Sequence, residues 1–292
     1  MNDESVPRES GAGPAGQFEL PHEINDIKSL DWNRVWREQF ALRDFQKQDA
    51  SFWDGRAASF AKIKETDYIS RLISILQPEP HWTVLDMGCG NGALAVPLAK
   101  LVSSVTAVDF SRKMLAEVHK RCAVEGVSNV KTIHGGWEDD WEKLGIGACD
   151  VAVASRSLCV DDLQTSITKL GGVAGKRAYI VTVAGDGPRD RRLFAAIGRP
   201  FDPGPDYIYY YNLLYQMGIR ANVEVIQERR NKTYHSIEEA VESSCWMFDD
   251  LTSREKDLIY AYFRERLVFH AGSWRLSRAQ IVRWAVIWWE KE

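Results

Sequence analysis

The segment Val84-Leu85-Asp86-Met87-Gly88-Cys89-Gly90-Asn91-Gly92 constrains this chain more than any other. An apolar run carrying one acidic residue passes at once into a turn with glycine at every second position. The run has the length of a buried strand. The glycines remove side chains where backbone must bend sharply or approach a ligand closely. The stretch from about Ala93 to Leu101 then reads as a helix with free amides at its start. Strand, glycine turn and helix in that order mark where an open α/β sheet holds a nucleotide-like ligand.

Two ligands compete for this turn. Gly88, Gly90 and Ala93 fit the dinucleotide fingerprint, which tolerates alanine at its third position. Asp86 argues against that choice, because a carboxylate two residues before the first glycine would repel a pyrophosphate. It suits a ligand with a positive amino-acid end. Asp109 closes the next apolar strand, Val105 to Val108, where a carboxylate can accept bonds from both hydroxyls of a ribose. The two acids together fit S-adenosylmethionine (SAM) better than NAD.

The segments VLDMGCGNGALAVPLA (84–99), VTAVDFSRKML (105–115), HGGWED (134–139) and CDVAVASRSL (149–158) occur in series. In this the chain resembles the class I SAM-dependent methyltransferases, over roughly residues 80 to 185 and more loosely beyond. The resemblance implies a doubly wound, Rossmann-like sheet of seven strands with the last antiparallel. It implies that backbone at Gly88, Cys89 and Gly90, with Asn91 beside them, lies against the methionine and ribose parts of SAM. Asp86 would sit near the ammonium, Asp109 at the ribose, and Phe110 and Met114 beside the adenine. Related enzymes carry an Asp-Ala-like pair after the third strand, and this chain has Gly136-Trp137-Glu138 instead. Trp137 backbone and Glu138 are therefore the expected adenine contacts. Ser155 and Arg156, at the tip of the fourth strand, are placed near methionine or acceptor.

The remaining alternation of apolar runs argues helices on both faces of a parallel sheet. Strands are expected at 83–87, 104–109, 129–134, 149–154, 177–183 and 222–227, and a last one within 278–289. Core helices are expected at 93–101, 112–125, 161–170 and 207–217. Helices over 31–46, 52–62 and 66–76 make residues 21–78 an N-terminal helical cap or lid, and residues 79–292 the methyltransferase domain. Two helical patterns, 236–248 and 252–268, each begin with a Ser or Thr three residues before Glu, the spacing of a capping box. They form a helical insertion over about 235–272. Residues 1–20 have the composition of a disordered tail.

Composition bounds the function. Five cysteines without CxxC spacing read as neither a disulfide framework nor a metal site, and no metal is expected. No apolar run reaches a membrane span, and the N-terminus lacks the apolar core of a signal peptide, so a cytoplasmic protein is expected. The formal charge of −4 weighs against nucleic acid as partner, although local basic clusters occur at Arg189–Arg192, Arg229–Lys232 and Arg275–Arg283. The chain reads as a monomer or homodimer.

The expected activity is methyl transfer from SAM to a small molecule, leaving S-adenosylhomocysteine. Alternatives are an RNA or protein acceptor, or a SAM-binding sensor without catalysis. The donor is already activated, so alignment supplies much of the acceleration and no catalytic side chain can be named. Trp53, Phe60, Arg156, Tyr207 and Tyr211 are the candidate acceptor residues, with the aromatic ones read either as a lid or as packing.

Overall fold

Short runs of Val, Ala, Leu and Ile between glycine and polar turns build the central sheet. The structure is a computed structural model that describes residues 29–42, 49–60, 67–248 and 250–291, without the side chains of 58–60. The expected tail, Thr66 and the ends of the first two expected helices lie outside the described residues. Helices α1 (Trp32–Ala41), α2 (Ala50–Phe60) and α3 (Asp67–Leu76) come first. Then follow β1 (Thr83–Met87), α4 (Ala95–Ala99), β2 (Ser104–Asp109), α5 (Arg112–Glu125), β3 (Val130–His134) and β4 (Cys149–Ser155). Next are α6 (Leu163–Val173), β5 (Ala174–Val183), α7 (Arg191–Ile197), α8 (Tyr207–Gln216) and β6 (Asn222–Arg230). The insertion holds β7 (Thr233–Tyr234), α9 (Ile237–Glu242), a 3₁₀ turn (Cys245–Met247), α10 (Ser253–Arg266), β8 (Leu267–His270) and β9 (Ser273–Leu276), and β10 (Gln280–Glu290) ends the chain.

The sheet order is β3-β2-β1-β4-β5-β10-β6. Strand β10 runs antiparallel to both β5 and β6, as expected of the last strand. The pairings among β1 to β5 are all parallel. Helices cover both faces, so the strands read as continuous apolar runs, and Val151 to Ala154 of β4 are fully buried.

The residues read as one N-terminal cap divide in the structure, because two of the three helices carry apolar stripes that join the core. Helix α1 buries Trp36 and Phe40 on one face of the sheet. The Trp36 indole stands 5.0 Å from the Tyr210 ring of α8 and donates a hydrogen bond to the Val160 carbonyl at 2.7 Å. Helix α3 buries Ile69, Leu72 and Leu76 on the opposite face. Only α2, whose apolar residues follow no such stripe, packs on α5 near the strand tips.

The insertion is less helical than expected. The second helix stops at Arg266, and Leu267 to Leu276 turn into a hairpin that pairs with β7. Leu267, Val268 and Phe269 are better strand than helix formers, and Ala271-Gly272 adopt left-handed backbone at the hairpin tip. Helix α7, absent from the sequence reading, joins the insertion in a separate apolar cluster around Phe194, Ile259 and Phe263. Helix α9 is capped by Ser236, but Glu239 turns to the His235 amide rather than closing a box. The Thr252–Glu255 box does close. Glu255 also accepts two bonds from Arg199, which ties the insertion to the chain after α7.

Arg199 first, and the Thr252 amide and hydroxyl after it, push the Glu255 carboxyl down to about 2. The stabilisation this gives is fully present above the ordinary glutamate range and is lost as pH falls towards 2. Glu255→Gln should lower the melting temperature at pH 7, and the gap to wild type should narrow steadily below pH 4.5, the ordinary glutamate value. Thermal melts across that range read the difference, and a gap that does not change with pH refutes the assignment.

Candidate functional site

The glycines of the turn serve different ends. All three have left-handed backbone. A Cβ on Gly88 would fall 2.2 Å from the Ser157 Cβ, so this glycine admits the segment after β4 rather than a ligand. Gly92 is crowded by Val96 and Val118. Gly90 alone combines φ of +54° with open space where its Cβ would stand, and it is the glycine that presents bare backbone outward.

Asp109 organises the turn. Its carboxylate is buried and accepts the Gly90 amide at 2.8 Å and the Ser111 amide at 2.9 Å. Burial pushes its pKa up, against those two amides. Ser111 in turn caps α5 by accepting the Met114 amide at 3.1 Å, and its hydroxyl donates to Asp54 of α2. At its far side α2 places Arg56 with its guanidinium 5.7 Å from the Trp246 ring centre in the insertion. Helix α2 thus bridges the strand-2 tip and the insertion.

Asp86 is the anomaly of the molecule. Both carboxylate oxygens are sealed from solvent, and among the described residues none makes a well-formed hydrogen bond to them, the Ala95 amide lying nearby without one. Burial, and then repulsion from Asp109, raise its pKa to about 7, with the Ala95 amide a partial offset. A buried acid without a partner is costly. A positive ammonium is the group that would relieve it, so the residues present fit the amino-acid end of SAM. Because Asp86 is sealed, a ligand reaches it only when the covering side chains shift.

Beyond Asp86 lies a polar and aromatic cluster. Tyr68 of α3 shares a 2.7 Å hydrogen bond with Ser155 at the tip of β4. Burial raises the pKa of the Tyr68 phenol, so it stays neutral and able to donate. Arg156 follows with φ of +59°, a left-handed conformation unusual outside glycine, and its amide donates to Val181 at 2.8 Å. Its guanidinium sits 4.4 Å from the Tyr68 ring centre and 5.1 Å from that of Trp284. The Trp284 indole donates to Glu228 at 3.1 Å, and Arg230 donates to the same carboxylate at 2.9 Å. Burial pushes Glu228 up, but Arg230, Trp284 and Arg156 outweigh it and hold the acid below its usual range.

The expected site residues gather unevenly. Asp86, Gly88, Cys89, Gly90 and Asn91 form the turn, with Cys89 and Asn91 buried. Phe110 is exposed, and a Cβ on Gly136 would lie 3.7 Å from both the Phe110 Cβ and a Glu138 carboxylate oxygen. Those three residues stand together just beyond the ends of β2 and β3. Met114 is buried, and Trp137 is buried with its indole donating to the Ser157 carbonyl at 3.0 Å. Trp53 is half-buried on α2, in edge contact with Phe52. The side chain of Phe60 lies outside the described residues. Tyr207 and Tyr211 are half-buried against the core face that holds α1, where Tyr209 and Tyr210 meet Trp32 and Trp36. Packing is what α8 contributes there. Sequence reading missed Tyr68, Glu228 and Trp284, which come from elements remote in the chain, and also Ser157 and Asp54, which stand beside named candidates but whose partners, Met87 and Ser111, are remote.

The methyltransferase domain family matches residues 84–172. A protein of Haemophilus influenzae, itself uncharacterised, is 34% identical over 244 residues, 81% of this chain and 88% of that one. A 23S rRNA (uracil(1939)-C(5))-methyltransferase of a Shewanella species is 32% identical over 80 residues, 27% of this chain and 18% of the enzyme. Among solved structures, a candidate methyltransferase of Bacillus halodurans superposes with a TM-score of 0.51 at 15% identity, over 76% of this chain and 98% of that one. That last likeness concerns the fold alone.

Two outcomes follow from the turn. Asp86 ionises less readily folded than unfolded, so the folded state loses stability as pH rises from the ordinary aspartate range through about 7. Asp86→Asn should therefore melt above wild type at pH 8 and near it at pH 4, and an equal or lower melting point at pH 8 would count against an unpartnered acid. Gly90→Ala should cost only about 1–2 kcal/mol in urea melts, from its left-handed backbone, yet weaken SAM in calorimetry. Gly88→Ala should cost more stability, through Ser157. The reverse ranking would exclude Gly90 as the point of ligand approach.

Proposed function

We propose that this chain, which belongs to the class I SAM-dependent methyltransferases, moves the methyl group of SAM to a small-molecule acceptor above the tips of β4 and β5. The observation that carries the small-molecule reading is the bridge made by α2. Its Asp54 bond to Ser111 and its Arg56 contact with Trp246 close over the strand tips. A cover of this kind excludes water and admits a compact acceptor more readily than a polymer. Bound SAM supplies an electrophilic methyl on a sulfonium. Gly90 and Asp86 hold its amino-acid end, and Asp109, Phe110 and Glu138 its nucleoside end. Tyr68 and Ser155 fix the tip of β4, and Arg156 with Trp284 borders the acceptor side.

An RNA acceptor has in its favour the partial likeness to ribosomal RNA methyltransferases. That likeness spans 27% of this chain, and the net charge of −4 works against it. Among the described residues no helix is long and apolar enough to cross a membrane, and a cytoplasmic setting fits the cofactor.

The test is transfer of labelled methyl from SAM into protein-free metabolite fractions and, in parallel, into RNA and protein. Label in the metabolite fraction alone supports the reading, and label in RNA alone removes it. SAM and S-adenosylhomocysteine should raise the melting temperature, and NAD should not. Asp109→Ala should weaken SAM about tenfold or more, since charged hydrogen bonds of this kind are worth roughly 1.5–3 kcal/mol each. It should also loosen the turn, seen as faster hydrogen exchange at the Gly90 and Ser111 amides. Unchanged SAM affinity in folded Asp109→Ala would remove this residue from the site.

A further inference from the structure

The loop after β3 carries three acids in a row, Glu138, Asp139 and Asp140. Two of them are engaged. Asp139 accepts the Gly136 amide at 2.8 Å, and Asp140 pairs with Lys143 at 2.8 Å. Among the described residues the Glu138 side chain makes no hydrogen bond or ion pair. An exposed acid is ordinarily just solvated. What sets Glu138 apart is how its backbone is held.

Lys169 of α6 donates to the Trp137 carbonyl at 2.7 Å and to the Asp139 carbonyl at 2.9 Å. The two carbonyls that flank Glu138 thus converge on one ammonium. That ammonium also lies 5.8 Å from the Trp141 ring centre. The loop is closed further by its own tryptophans. The Trp141 indole donates to the Gly136 carbonyl at 3.1 Å, and the Trp137 indole to the Ser157 carbonyl at 3.0 Å. Ser157 is the residue that crowds Gly88 in the glycine turn. At the start of the loop the Gly135 amide donates to the Asp109 carbonyl at 3.1 Å. Phe110 is gripped in a similar way, its carbonyl accepting a 3.0 Å bond from Nε2 of His134. Lys169 therefore belongs to a frame that ties the neighbours of Glu138 to the glycine turn and the tip of β2.

We infer that Lys169 is a positioning residue for the cofactor. By holding both carbonyls beside Glu138, it sets that carboxylate, together with Phe110, to receive the adenine of SAM. The inference rests on the methyltransferase reading for the identity of the ligand. A loop ordered before binding spares the cost of ordering it, so the effect of Lys169 is felt as cofactor affinity. A lysine that only stapled α6 to the loop would act independently of the Glu138 side chain.

S-adenosylhomocysteine is titrated by calorimetry into the full chain as wild type, Lys169→Met, Glu138→Ala and the double variant. Lys169→Met keeps most of the stem and removes the ammonium; Lys169→Gln takes its place if that variant does not fold. Each single change should weaken binding about tenfold, the order of one charged hydrogen bond. In the double variant the loss should stay close to the larger single loss, because residues that act through one another are not additive. Wild-type affinity in either single variant overturns the inference. So do losses that add in the double variant, which is the outcome for a purely structural lysine. A wild-type chain that binds no S-adenosylhomocysteine overturns the methyltransferase reading, and this role with it, whereas binding by wild type that the lysine variant matches overturns this inference alone.

Discussion

The Asp109 carboxylate is the joint on which the site is built. It takes the Gly90 amide from the first turn and the Ser111 amide from the second. Two crossover turns that the sheet only brings near each other are thereby held in one geometry. Ser111 passes the constraint on, capping α5 and holding Asp54 of α2. A single acid at a strand tip thus links the glycine turn, the start of a helix and the cover.

Asp86 shows the opposite economy. Among the described residues its oxygens make no well-formed hydrogen bond, and burial with a neighbouring acid drives its pKa to about 7. A fold optimised for stability alone would not keep it. The cost makes sense if the partner is an incoming cation, whose binding then gains what folding lost. Backbone strain lies at the tip of β4, where Arg156 is held in left-handed backbone.

Two of the three N-terminal helices act as architecture. Helices α1 and α3 complete the two faces of the sheet, and α2 alone is left to span strand tips and insertion. Tyr68 gives α3 a second part, because its hydroxyl reaches Ser155 across the face it helps to bury. The insertion, with α7, keeps its own apolar cluster and is fastened by Arg199 to Glu255.

The parallel core was legible in the chain because its signals are local. Apolar runs of strand length, glycines at alternate positions and acids at strand ends lie within a few residues of one another. From them the alternation of strands and helices from β1 to β5 was read, whereas the antiparallel last strand came from the family resemblance, and α7 and the hairpin of β8 and β9 were missed. What only the tertiary structure decided depends on partners far apart in sequence. Gly88 looks like a ligand glycine until Ser157 is seen against it. Tyr207 to Tyr211 look like a lid until Trp32 and Trp36 are seen packing on that helix. Residues 267 and 268 fit the helix register, yet they pair as strand because β9 and β7 supply the hydrogen bonds. Periodicity marks which residues are buried, whereas the neighbour each is buried against is set by how the whole chain packs.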